Sequence, residues 1–211
     1  MERIFDRDLG ESFCNTVRQI AFTKIPVIRP IGFTFGNSTT IVSTGGITLE
    51  DSVAVSNALS NLVFKVPATE VFTRQEDPVF ACSYQLKRNQ IFTDRDLVAP
   101  SVEVFKTTGA PLFHLQDFSE ITFTVYFAFC GGRYTSEENR VKILEKFPSC
   151  GPVVCMASKH CNVSDFSINM VRRDYKNEVV QVSVKTNDGT LEADLWKQCL
   201  GILDDLVVQF N

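Results

Sequence analysis

The segment Leu191 to Phe210 constrains the fold most. Leu195, Cys199, Ile202 and Leu206 recur at the period of an α-helix, and Trp196, Leu203 and Phe210 lie one step round from them. The segment is therefore expected to be an amphipathic helix. Thr190 is its expected N-cap, with Glu192 and Asp194 where the helix dipole favours acids. Its apolar stripe is wider than one packing partner needs. One flank is expected to lie on the chain's own sheet and the other to meet a second subunit. The plainer alternative is a terminal helix that only closes its own sheet.

A second amphipathic helix is expected at the other end, over Asp8 to Phe22. Leu9, Phe13, Val17, Ile20 and Ala21 share one face, and Asp8 with Glu11 has the spacing of a capping box. Ile25-Pro26 ends it, because a residue before proline is pushed toward extended geometry. Val27 to Phe35 then alternates as a strand. Turns are expected at Asn37 to Thr40 and Thr44 to Gly46, and a short helix over Leu49 to Asn61.

Further strands are expected at Leu62 to Val66, Phe80 to Gln85, Val102 to Lys106, Ile121 to Cys130 and Val153 to Ala157. In the clearest, Ile121, Phe123, Val125, Phe127 and Phe129 alternate with Thr122, Thr124, Tyr126 and Ala128. Ser136 to Phe147 reads as loop or short helix. Phe166 to Val171 and Val179 to Thr186 form an expected hairpin. The pattern predicts an α+β protein in which terminal pieces bracket an inserted middle. Residues 1–36 with 159–211 would form a dimerisation subdomain, two long helices on a small antiparallel sheet. Residues 37–158 would form a β-rich subdomain.

Composition narrows the function. A net charge of −4 disfavours broad nucleic-acid binding, which needs a basic face. The first eight residues carry charges where a secretory leader needs an apolar core, and stretches such as Val125 to Cys130 are too short to span a membrane. Seven cysteines without framework spacing suit reduced thiols, so an intracellular protein is expected.

Chemistry is sparse. The two histidines, His114 and His160, stand in unrelated contexts, and no nucleophile elbow or phosphate loop is present. Neither catalysis nor a cofactor is expected. Cys150, Cys155, His160 and Cys161 could supply four zinc ligands, but their spacing lacks the short knuckles that bend a chain round a metal. Thiols without a metal are the default reading.

Six segments, in order, resemble the α-type assembly subunits of multisubunit DNA-directed RNA polymerases. These are the bacterial α N-terminal domain, its archaeal counterpart and the eukaryotic third-largest subunit. Asp6 to Ile20 (DRDLGESFCNTVRQI) with Lys24-Ile25-Pro26 is similar to the family's first helix, where Asn15, Val17 and Arg18 match an "N-(A/S)-L-R-R" core and Gln19 departs from it. Glu50 to Val53 through Leu62 to Phe64, Ile91 to Val98 with Pro100, Ala110 to Leu115 followed by Glu120 to Val125, and Gly132-Arg133 with Lys146 to Pro152 resemble its middle segments. Val180 to Leu191 (VQVSVKTNDGTL) resembles the strand and Gly turn before the dimerisation helix. The strand before the first helix is reduced to Arg3 to Phe5. The cysteine-rich loop of some relatives has no counterpart between Val66 and Ile91, and the family's "HAK" histidine is absent.

The resemblance implies a non-catalytic assembly platform that heterodimerises with a smaller α-like subunit and docks the second-largest and largest subunits, without sequence-specific nucleic-acid or membrane binding. The implied partner interface is Phe13, Val17, Ile20, Leu195, Trp196, Cys199, Leu203, Leu206 and Phe210, with Trp196, Leu203 and Phe210 exposed in the lone chain. Arg18 and Lys24 would contact the second-largest subunit. So short and divergent a form implies a viral or otherwise fast-evolving polymerase, working in the nucleus or cytoplasm of a host or packaged in a virion. The alternative is a stand-alone interaction or virion structural module.

Overall fold

The structure, a computed structural model, describes residues 2–36, 47–65, 78–99, 102–116 and 120–209. The elements run β1 (Glu2–Asp6), α1 (Gly10–Thr23), β2 (Val27–Phe35), α2 (Ser52–Ser60), β3 (Phe64–Lys65), β4 (Val79–Lys87), β5 (Ile91–Thr93), β6 (Glu103–Val104) and β7 (Pro111–His114). They continue with β8 (Glu120–Cys130), β9 (Gly132–Tyr134), α3 (Ser136–Lys146), β10 (Val154–Cys155), β11 (Ser158–His160), β12 (Val163–Arg173), β13 (Asn177–Thr186) and α4 (Glu192–Gln209). The class is α+β, and the sheets are small and antiparallel. The turns expected at Asn37 to Thr40 and Thr44 to Gly46 lie outside the described residues.

Contacts divide the chain into two compact units, Met1–Pro26 with Cys161–Asn211, and Val27–His160. The expected boundary at residue 36 is thus too late by one strand. All nine residues of β2 are buried, and β2 pairs with β8 on one side and β10 on the other, so it is central to the second unit's sheet. A strand covered on both faces belongs with the sheet that covers it, whichever helix precedes it in sequence.

The first unit is a three-stranded sheet, ordered β1-β13-β12, with α1 and α4 packed on it. The segment before the first helix is a full strand here, with Glu2 to Asp6 in register against Gln181 to Asn177. Inward residues Phe166, Val180 and Val182 meet Cys14, Val17, Leu195, Trp196 and Cys199 in one core.

The capping box expected from Asp8 and Glu11 does not form. Asp8 takes a left-handed backbone (φ 72), and Leu9 precedes α1 without a side-chain cap. Glu178 of β13, 1 % exposed, supplies the cap instead: its carboxylate accepts from the Gly10 N–H and, at 3.3 Å, from the Asp8 N–H. A negative group on exposed helix N–H groups satisfies donors and dipole together. Gly10 is needed for the approach, because a Cβ there would fall 2.8 Å from the Phe5 ring and 2.9 Å from Val180. Similarly, α4 begins at Glu192 rather than beside Thr190, whose N–H is bonded to the Asp188 carboxylate.

In the second unit, β10-β2-β8-β4 form the sheet, and the Phe side chains of β2 and β8 dominate its core. Ser136–Lys146, ambiguous in sequence, is helical because Thr135 and Glu138 close a reciprocal capping box. Earlier in the chain, the buried carboxylate of Asp94 ties the end of β5 to Thr108 and Gly109. Burial works against charge on Asp94, but the Thr108 N–H (2.7 Å), Gly109 N–H (2.8 Å) and Thr108 hydroxyl (3.0 Å) hold its carboxyl below the usual range. A lowered folded-state pKa contributes stability that is complete above the unfolded value and lost as pH falls through the folded one. Wild type should therefore lose more stability than Asp94→Asn between about pH 6 and about pH 3 in urea melts. Parallel curves would remove Asp94 as the cause.

Candidate protein-interaction face

The candidate face is the outer side of α1 and α4. Along α1, Val17 and Ile20 point into the sheet, while Phe13 is half-buried against Phe5 (5.5 Å between centroids) and Trp196 (6.5 Å). Along α4, Leu195, Trp196 and Cys199 are buried, with Ile202 at the limit. The expected exposure of Trp196 is therefore corrected: it is 4 % exposed, packed against Phe13 and lying under the Arg3 guanidinium 5.3 Å from its ring. An indole is large enough to reach the sheet from a position one step round the stripe.

Five of the nine residues expected at the seam, Val17, Ile20, Leu195, Trp196 and Cys199, are core of their own unit. Phe13, Leu203 and Leu206 are partly covered, and Phe210 lies outside the described residues. The apolar surface moves instead to the last turns of α4, where Val207 and Val208 are 53 % and 73 % exposed beside Asp204 and Asp205. Sequence spacing gives a side chain's angle round the helix but not how far the sheet extends beneath it. Arg18 and Lys24 are both exposed.

The two histidines are held within the second unit. His160 is fully buried, with Nδ1 3.0 Å from the Val27 carbonyl and Nε2 2.8 Å from Ser158 Oγ. This serine–histidine pair was not legible in sequence, because two residues on one strand rarely bond. Asn139 Nδ2 also donates to Ser158 Oγ at 2.8 Å, tying α3 to β11. His160 and Asn139 are both 0 % exposed and Ser158 is partly buried, so these bonds tie α3 and β2 to β11. His114 is engaged by Glu50, through its N–H (2.7 Å) and Nδ1 (2.5 Å).

The Cys150 and Cys155 thiols point at the carbonyls of Gly151 and Val153 (both 3.7 Å), and the Cys161 thiol at that of Val163 (3.6 Å). Among the described residues no group of three His, Cys, Asp or Glu side chains could hold a metal ion, and no helix is long and apolar enough to cross a membrane. In comparisons with known proteins, the chain matches no family model and no curated sequence.

Proposed function

We propose that the chain is a non-catalytic assembly subunit of a multisubunit DNA-directed RNA polymerase, of the α type. It heterodimerises with a smaller α-like subunit and docks the second-largest and largest subunits. The observation that carries this reading is that the two chain ends build one unit. Gly10 and Glu178, 168 residues apart, are hydrogen-bonded, and one helix from each end lies on the shared sheet. This is the arrangement the ordered sequence resemblance implies for a dimerisation unit.

The partner covers the shoulder that remains open: Phe13, Leu203, Leu206 and Val207. Covering such a shoulder stabilises by about 25 cal/mol per Å² of apolar surface removed from water, and obligate contacts of this kind bury upward of ~2,000 Å². Arg18 and Lys24 serve the large subunits.

Mass spectrometry of the tagged chain purified from its source should find a stoichiometric smaller α-like chain and two large polymerase subunits. Lys24 should cross-link to one of the large subunits. The double variant Leu203→Asp/Leu206→Asp should stay folded and lose the small subunit. An assembly unchanged by that variant, or free of polymerase subunits, overturns the reading.

A second reading, a stand-alone interaction or virion module, is favoured by one observation: Trp196 and Cys199 are covered without any partner. It expects a stable chain expressed alone that recruits no polymerase subunit.

A further inference from the structure

In the first unit β12 is an edge strand, and among the described residues its outer side pairs with nothing. Natural edges are blunted by lysine, proline or bulges. Here the irregularities fall only at Val163/Asp165 and Met170/Arg172, leaving Asp165 to Met170 regular and without lysine or proline.

Two side-chain hydrogen bonds fix the direction of its backbone groups. Ser164 Oγ donates to the Lys185 carbonyl and Ser167 Oγ to the Ser183 carbonyl, so Lys185 and Ser183 face β12. Their register partners, Asp165 and Ser167, face inward, and Asn169 follows by alternation. The N–H and C=O groups of Phe166, Ile168 and Met170 therefore point outward from the sheet. On the helix-bearing side of that edge runs a groove of about 410 Å³, lined by Glu11, Asn15 and Arg18 of α1 and by Phe166, Ile168 and Met170 of β12.

We infer that a second copy of this chain pairs with β12, edge to edge and antiparallel about Ile168, joining two three-stranded sheets into one of six. A twofold axis through Ile168 sets Phe166 opposite the partner copy's Met170, both with outward backbone groups, as an antiparallel ladder requires. The same axis turns α1 against its copy. Glu11 lies toward the Met170 end and Arg18 toward the Phe166 end, so each Glu11 meets the other copy's Arg18, with Asn15 on Asn15 at the axis. Glu11 and Arg18 are both exposed. The edge thus complements itself in hydrogen bonds, apolar side chains and charge, and no like charges face one another across the axis.

This inference does not depend on the polymerase reading. If both hold, the two states compete, because Arg18 serves either the second copy or a large subunit.

Sedimentation equilibrium of the full chain alone tests it. A concentration-dependent dimer is expected. Arg18→Glu or Glu11→Arg should each weaken it about tenfold or more, since either change sets like charges together at both ends of the axis. The double variant Glu11→Arg/Arg18→Glu should restore it. Far-UV circular dichroism of all three variants checks that they fold, which changes at exposed sites permit. A monomer at every concentration, a dimer indifferent to the single reversals, or a folded double variant that fails to recover would each overturn the inference. A dimer lost on Leu203→Asp but not on the reversals would belong to the α4 shoulder and would also overturn it.

Discussion

Trp196→Asp should prevent the first unit from folding, rather than merely releasing a partner. Trp196 is 4 % exposed and packed on Phe13, with the Arg3 guanidinium above its ring. Removing a buried indole costs about 3–5 kcal/mol through lost transfer energy and the cavity left behind. The carboxylate adds the cost of charge in a site built for an apolar ring, offset only in part by Arg3. The sum exceeds about 5 kcal/mol, which matches or surpasses the whole stability of many domains. Urea denaturation, with limited proteolysis of the terminal segments, should show loss of the cooperative transition of α1, α4 and their sheet. Leu203→Asp, at a partly buried position on the rim of this core, should cost less than Trp196→Asp by the same measurement. Wild-type stability in Trp196→Asp combined with loss of a partner would instead put the indole at the interface.

Phe123→Ala should destabilise the second unit by about 4 kcal/mol. Phe123 of β8 is fully buried and lies against five other rings. It stacks on Phe35 at 4.8 Å, meets Phe113 (4.9 Å) and Phe92 (5.4 Å) edge-on, and lies 6.0 Å from Phe33 and 6.3 Å from Tyr84. These rings come from β2, β4, β5, β7 and β8, so the void would open where separate strands converge. Tightly interlocked aromatic rings cannot close round such a void without leaving their rotamer wells, which places the cost toward the upper end of the usual range. Phe123→Leu, which keeps most of the volume, should cost about half as much or less. Urea melts followed by near-ultraviolet circular dichroism would measure both. A Phe123→Ala cost below about 1.5 kcal/mol would mean the ring cluster relaxes far more than close packing allows.

The two termini illustrate how much of the fold could be read from residues alone. The periodicity of Leu195, Cys199, Ile202 and Leu206 and the alternation through Ile121 to Cys130 identified helix and strand, because period reports which side of an element meets the core. Order along the chain also indicated that the ends belong together. The same reasoning placed Val27–Phe35 in the wrong unit, since a strand's sheet partners are not encoded in its own alternation when both faces are buried. It also assigned the cap of α1 to Asp8 and Glu11, because a capping box is local. The carboxylate that holds this helix comes from Glu178, a residue that β-strand pairing alone brings to Gly10.

The candidate face divides along the same line. Residue type and spacing identified Phe13 and Leu206 as members of the apolar stripes, Leu203 as one step round from its own, and Arg18 as a charge off the α1 face. Whether an apolar residue is core or surface depends on how far a neighbouring sheet reaches, and that is a property of three strands at once. The sequence by itself determined α1, α2, α4, the longer strands β2, β4, β8, β12 and β13, and the amphipathic character of both ends. Only the tertiary structure decided that Trp196 faces inward, that Glu178 caps α1 and that β12 presents an open edge, because each depends on groups brought together across sheets rather than along the chain.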